Sequence, residues 1–154
     1  MVNATRKSLY SSDVYKDCLN RLGQLTPGSK AQWGTMTAAQ MLSHCAEIQE
    51  VSNGKDLRGT PFVVKLFKGK IRNIVVGDKP FPKNSKTHPQ YRQTSDCDYE
   101  TEKIRLLEAL DKFVNTDEAH ADGLEHPLFG SMTAEESGWA MYKHLDHHLR
   151  QFGL

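Results

Sequence analysis

Two threonines set the frame for this chain. Thr37 and Thr133 each stand three residues ahead of a glutamine or glutamate, Gln40 and Glu136, at the head of an apolar-periodic run. A hydroxyl that accepts from the third residue's N–H, answered by a side chain reaching back to the cap, is a reciprocal start signal for a helix. After Thr37 the stripe runs through Met41, Leu42, Cys45, Ile48 and Val51 until Asn53-Gly54 stops it. After Thr133 it runs through Met141, Tyr142, Leu145, Leu149 and Phe152.

Further helices follow from the same rules. Ser11, Ser12 and Asp13 cap residues 11–23, where Val14, Cys18 and Leu22 repeat at spacing four. Residues 98–114 predict another helix, with Ile104, Leu107, Leu110 and Val114 inward. The segment 61–76, PFVVKLFKGKIRNIVV, reads as helix, with Phe62, Val63, Leu66, Phe67, Ile71, Ile74 and Val75 on one stripe. Its valine and isoleucine content also suits strands, and Gly69 weakens a helix. Its lysines fit a membrane-surface helix, although a solvated face is the preferred reading.

The connections are less regular. Residues 77–97 hold Pro80, Pro82 and Pro89 and read as a long ordered loop, a length that often carries function. Residues 115–132, with His126-Pro127-Leu128-Phe129-Gly130, read as a second loop. With no repeat and no convincing hairpin, the expectation is an all-α bundle folded as one domain over 1–154.

Charge narrows the function. With 20 basic against 19 acidic residues the chain has no field to hold nucleic acid. Cys18, Cys45 and Cys97 are odd in number and form no CxxC pair, which favours a reducing compartment. No stretch approaches the roughly 20 apolar residues of a membrane span, and the first residues lack a signal-peptide core. A cytoplasmic protein with a small-molecule substrate is expected, optionally a homodimer, without nucleic acid or membrane partners.

The chain's end, MYKHLDHHLRQFGL, carries three histidines within five positions. On a helical wheel His148 lies about 60° from the apolar centre, His144 about 100° and His147 about 160°, so His147 should face water. Lys143, Asp146 and Arg150 fall on the side opposite the stripe. His144 and His148, one turn apart, can lean over one flank of the core, the spacing by which helices offer two imidazoles to one ion. In the helix after Thr37, His44 sits about 70° from the apolar centre, again on a flank. Three neutral imidazoles suit Zn²⁺ or Ni²⁺ first, with Fe²⁺, Mn²⁺ or Cu²⁺ as further options. Two readings stay open on spacing alone: a metal site, or half-buried histidines that are merely hydrogen-bonded.

Neighbouring residues divide in the same way. Glu47 and Gln40 stand one turn either side of His44 and would orient it, or lie on an exposed polar face. His126 would serve as a base or substrate contact near the site. The plainer reading, a rigid X-Pro loop packing Phe129, is preferred. Cys45 reads as a core thiol, and Trp33 as an anchor where the chain enters its helix.

Taken together, WGTMTAAQMLSHCAE (33–47), DKPFPKNS (78–85), HPLFGSMT (126–133) and MYKHLDHHLRQFGL (141–154) resemble a bacterial family of the DinB/YfiT-like superfamily of metalloenzymes. The runs recur in order over most of the chain. The resemblance implies a four-helix bundle with an additional helix and a long loop between helices 2 and 3. It also implies a divalent metal on one histidine of the second helix and an H-x3-H pair of the last, here His44, His144 and His148. Related members include thiol S-transferases that use a low-molecular-weight thiol, and some isomerases and hydrolases. A metal-dependent transferase or hydrolase is therefore the leading expectation, and a non-catalytic metal-binding interaction or regulatory protein the alternative.

Overall fold

The computed structural model describes residues 6–154, and these are mostly helical. Residues 1–5, where part of the signal-peptide expectation falls, lie outside the described residues. The helices are α1 (Ser12–Leu22), α2 (Ala38–Ser52), α3 (Phe62–Leu66), α4 (Lys68–Val76), α5 (Tyr99–Val114), α6 (Glu118–Ala121) and α7 (Ala134–Gln151). Both threonine caps form as the spacing predicts. Thr37 Oγ1 accepts from Gln40 N at 3.1 Å while Gln40 Oε1 accepts from Thr37 N at 3.0 Å. Thr133 and Glu136 repeat the pair at 3.1 and 3.0 Å.

The four longest helices, α1, α2, α5 and α7, share one core. Leu22, Met41, Leu42, Leu106, Leu110, Leu145 and Leu149 meet there, all buried, and each such side chain contributes roughly 1.5–3 kcal/mol over an exposed one. Helix α2 is the central member, packed against α5 along its length and against α7. Residues Met41 through Glu47 are buried without a break, so α2 has no solvated face over two turns. Its polar residues must then find partners inside, and they do: Ser43, His44, Glu47 and Gln49 are each hydrogen-bonded.

Four expectations need correction. First, Ile104 is 55% exposed rather than inward on α5; Leu110 is buried and Leu107 and Val114 pack against the core as expected, and Leu106, Ala109 and Phe113 join them. This rotation also brings the Arg105 guanidinium to the carboxylates of Glu47 and Glu50 on α2. Second, residues 115–132 are not wholly loop. They hold α6 and an antiparallel pair, β1 (Leu124–His126) with β2 (Gly130–Met132), in register Leu124–Met132 and His126–Gly130. Strands of three residues are too short to show alternation, and Gly130 at φ 73° makes the turn.

Third, segment 61–76 is helical but broken at Phe67, and most of its apolar stripe faces away from the core, while Val75 packs against it. Phe62, Val63, Leu66 and Phe67 are 79%, 60%, 67% and 51% exposed, and neither helix has a buried residue. The inner side of α4 instead presents Arg72 to Glu136 and to the carbonyls of Phe129 and Ser131. Fourth, Lys143 is buried rather than on a wet face of α7. Helix α4 covers it, and its ammonium donates to the Ile74 and Gly77 carbonyls at 2.7 and 2.8 Å. Those carbonyls end α4, where a cation complements the unpaired C=O groups. The loop of residues 77–97 therefore leaves from a fixed point.

Among the described residues no helix is long and apolar enough to cross a membrane.

Candidate metal centre

Helix α2 carries His44 into the interior beside α7, whose His144 and His148 lie one turn apart. The structure brings these three rings together. Centroids are 5.1 Å apart for His44–His144 and 4.7 Å for each of the other pairs. One nitrogen from each ring lies within 4.8 Å of the other two. His44 Nε2 is 3.2 Å from His144 Nε2. Nitrogens bound about 2.1 Å from one tetrahedral ion stand roughly 3.4 Å apart, so this separation has the right size.

The protonation of two rings follows from their partners. His44 Nδ1 is 2.7 Å from the Tyr91 carbonyl oxygen, which can only accept, so Nδ1 bears the proton and Nε2 keeps its lone pair. Gln151 Nε2 donates to the Trp33 carbonyl at 2.8 Å, which turns the Gln151 oxygen toward His148. His148 Nδ1–H donates to that oxygen at 2.7 Å, and its Nε2 is likewise left as a lone pair. Two imidazoles are thus held with Nε2 unprotonated and aimed at a common point, the requirement for ligation. The three-histidine group could hold a metal ion.

Electrostatics agree with neutral rings. Burial holds the His44 imidazole below its ordinary pKa against the opposing hydrogen bond to Tyr91. Burial, with His44 beside it, lowers His148 to about 3. Burial and the charges of the other histidines put His144 well below the usual range. At neutral pH all three are free bases, the form a metal takes without displacing a proton.

The family model described as "Protein of unknown function (DUF1569)" matches residues 4–153. The chain belongs to this family. No curated protein and no solved structure matches it.

The surroundings of the cluster in this DUF1569 chain differ from the sequence reading. Glu47 does not orient His44. Its carboxylate takes Lys55 Nζ at 2.8 Å, Gln90 Nε2 at 2.8 Å and the Arg105 guanidinium. Burial pushes that carboxyl up, but the hydrogen bonds outweigh it and the pKa falls. Gln40 is consumed by its cap and by the Ser95 carbonyl at 3.2 Å. A buried carboxylate beside a guanidinium is paired first, which leaves the backbone of Tyr91 to hold His44.

His126 stands outside the cluster. Its Nδ1 accepts from the Leu128 and Phe129 amides at 3.1 and 3.3 Å, and its ring stacks on Phe129 at 4.3 Å. It builds the hairpin turn. Cys45 is a buried core thiol next to Met41. His147 does not simply face water: it is half-buried, with edges toward Trp33 at 5.7 Å and Phe81 at 5.8 Å. Phe81 also approaches His144 at 6.4 Å. The segment after α4 therefore folds its first aromatic residue over the last helix, while Lys83 Nζ lies 4.3 Å from the Trp33 ring.

Sequence reasoning missed Tyr91, Gln151, Trp33 and Phe81 as neighbours of the cluster. Gln151 had a signal, standing three residues after His148 on the same face. A backbone carbonyl such as that of Tyr91 has none.

Proposed function

We propose that this chain is a divalent-metal-dependent enzyme of the DinB/YfiT-like type, built as a four-helix bundle and acting as a thiol S-transferase or hydrolase. The observation that carries the reading is the pair of outer hydrogen bonds, Tyr91 to His44 and Gln151 to His148, which leave two ring nitrogens as lone pairs facing His144. A hydrogen-bonded core histidine needs no such convergence. His44, His144 and His148 would hold the ion, with Zn²⁺ or Ni²⁺ the best match to three imidazoles.

When bound, the ion supplies a positive charge that lowers the pKa of a water or low-molecular-weight thiol at its open positions. The residues supply the rest. Tyr91 and Gln151 fix the ring orientations. Trp33 and Phe81 limit water around His144 and His147, and Lys83 at the rim offers a charge to the polar end of a thiol or substrate. In this reading neither Glu47 nor His126 takes part in proton transfer.

The test is turnover. Zinc- or nickel-loaded protein should transfer a small thiol to an activated electrophile, or hydrolyse an activated ester, and chelation should abolish it. His148→Ala should do the same while the protein stays folded. A second reading, a non-catalytic metal-binding interaction protein, is favoured by the exposed apolar side chains of α3. It predicts a lower melting temperature on metal removal and no turnover in the same screen.

A further inference from the structure

The part of the molecule with least explanation inside the fold is α3–α4. Five large apolar side chains, Phe62, Val63, Leu66, Phe67 and Ile74, are 45–79% exposed within thirteen residues. Single exposed apolar residues are ordinary, but a cluster of this kind marks a surface with a use. The break at Phe67 places a five-residue helix ahead of a nine-residue one, and neither buries a residue. The exposed apolar side chains lie on α3, the break and the outer side of α4, while Val75 and Val76 at the end of α4 pack against the core.

Charge says what covers it. Between Asp56 and Asp78 there is no acidic residue, while Arg58, Lys65, Lys68, Lys70 and Arg72 fall in that interval. Lys65 and Lys70 are exposed beside the apolar side chains. A cleft of about 740 Å³ runs alongside α4 to the hairpin, and its charged lining is Lys55, Arg58, Lys68 and Arg72 against Asp56 and Glu125, a basic excess. Some of that charge is already matched: Lys55 pairs with Glu47 and Glu50, Arg72 with Glu136, and Arg58 lies 3.5 Å from Asp56. The Arg58–Asp56 contact is on the open surface, where such a pair holds little. Arg58 and Lys68 line the cleft, Lys68 Nζ donating to the Pro127 carbonyl at 3.3 Å but pairing with no carboxylate among the described residues, and Lys65 and Lys70 are exposed outside it.

We infer that the α3–α4 face docks on an anionic lipid surface, with Phe62, Leu66 and Phe67 entering the headgroup–acyl boundary and the lysines meeting lipid phosphates. Apolar tips ringed by lysine are the composition of an interfacial anchor. A second copy of the chain fits less well. A two-fold interface would set this basic patch against itself and crowd the lysines of two copies, with no carboxylate between Asp56 and Asp78 to answer them. A folded acidic partner would need pockets matched to each exposed apolar side chain, whereas a fluid surface moulds to them. Docking of this kind is peripheral and separate from the histidine cluster.

The test is flotation of the full chain with phosphatidylglycerol vesicles and with phosphatidylcholine vesicles. Binding should occur on the anionic vesicles only and weaken as salt rises. Lys65→Gln with Lys70→Gln should weaken it roughly twenty-five-fold, about fivefold per lysine, as expected near an anionic leaflet. Phe62→Ser with Leu66→Ser should abolish it, with an unchanged far-ultraviolet spectrum because both positions are exposed. No binding to anionic vesicles would overturn the inference. So would equal binding to neutral vesicles. A dimer in solution that Leu66→Ser converts to monomer would overturn it in favour of a second copy.

Discussion

The side-chain oxygen of Gln151 lies 2.7 Å from His148 Nδ1, and its orientation is set by the Trp33 carbonyl 2.8 Å from Gln151 Nε2. One amide therefore links the segment before α2 to a ring on α7. It fixes the tautomer of His148 and keeps Nε2 free. Gln151→Leu fills similar space without either bond. Zinc affinity, measured by competition with a chromogenic chelator, should fall by about tenfold to a hundredfold, the usual cost of losing a partner behind a ligand. An unchanged affinity would mean that Gln151 merely packs.

His126 makes stability depend on pH away from the cluster. Burial lowers it to about 4 from the ordinary 6.5, and its Nδ1 accepts two amides that a protonated ring would have to release. Above pH 6.5 both folded and unfolded chains are neutral here, and the stabilisation is fully present. Between 6.5 and about 4 the unfolded chain takes the proton first, so stability falls with pH; below 4 this loss levels off. The integrated effect is about 3 kcal/mol. His126→Asn keeps an acceptor for the same amides and removes the titration. Urea unfolding of the two proteins across pH 4–7 should show a shallower acid slope for the variant.

Arg105 holds two carboxylates from α2. Its guanidinium bonds Glu47 and Glu50, with Glu102 at 3.1 Å, and these bonds push its own pKa up while lowering both acids. Arg105→Met leaves Glu47 with Lys55 and Gln90, and Glu50 with Lys55. Removing one partner of a half-buried group like this should cost about 2 kcal/mol, less than for a fully buried pair. The cost should shrink as pH falls and the carboxylates protonate, which chemical unfolding at two pH values will show.

Gly138 is where the N-terminal segment crosses α7. Leu9 N donates to the Gly138 carbonyl at 3.0 Å, and a Cβ there would meet Ser8 Oγ at 2.1 Å and Tyr10 Cδ2 at 3.0 Å. Gly138→Ala would ordinarily favour a helix. Here crowding wins, and the variant should lose about 1–3 kcal/mol with a lower melting temperature.

What the sequence made legible was whatever repeats locally. The Thr37 and Thr133 caps, the starts of the long helices and the flank positions of His44, His144 and His148 all follow from spacing on one helix. What it hid was decided between elements. Ile104 and Leu106 are both apolar, and which of them faces inward is settled between helices, where Leu106 packs in the core and Arg105 reaches α2. The stripe of residues 62–75 has helical period, yet periodicity does not say that a partner exists to cover it. Lys143 and His147 lie opposite the stripe on a wheel, but α4 and Phe81 close over them. The outer bonds to His44 and His148 came from Tyr91 and Gln151, the first a main-chain group with no sequence signature.

The central claim is that His44, His144 and His148 form one metal centre. Elemental analysis of untagged protein, purified without added chelator, tests it most directly. The account predicts one divalent ion per chain, zinc or nickel, and its loss in a folded His44→Ala, His148→Ala variant. Full retention of metal by that variant would contradict it.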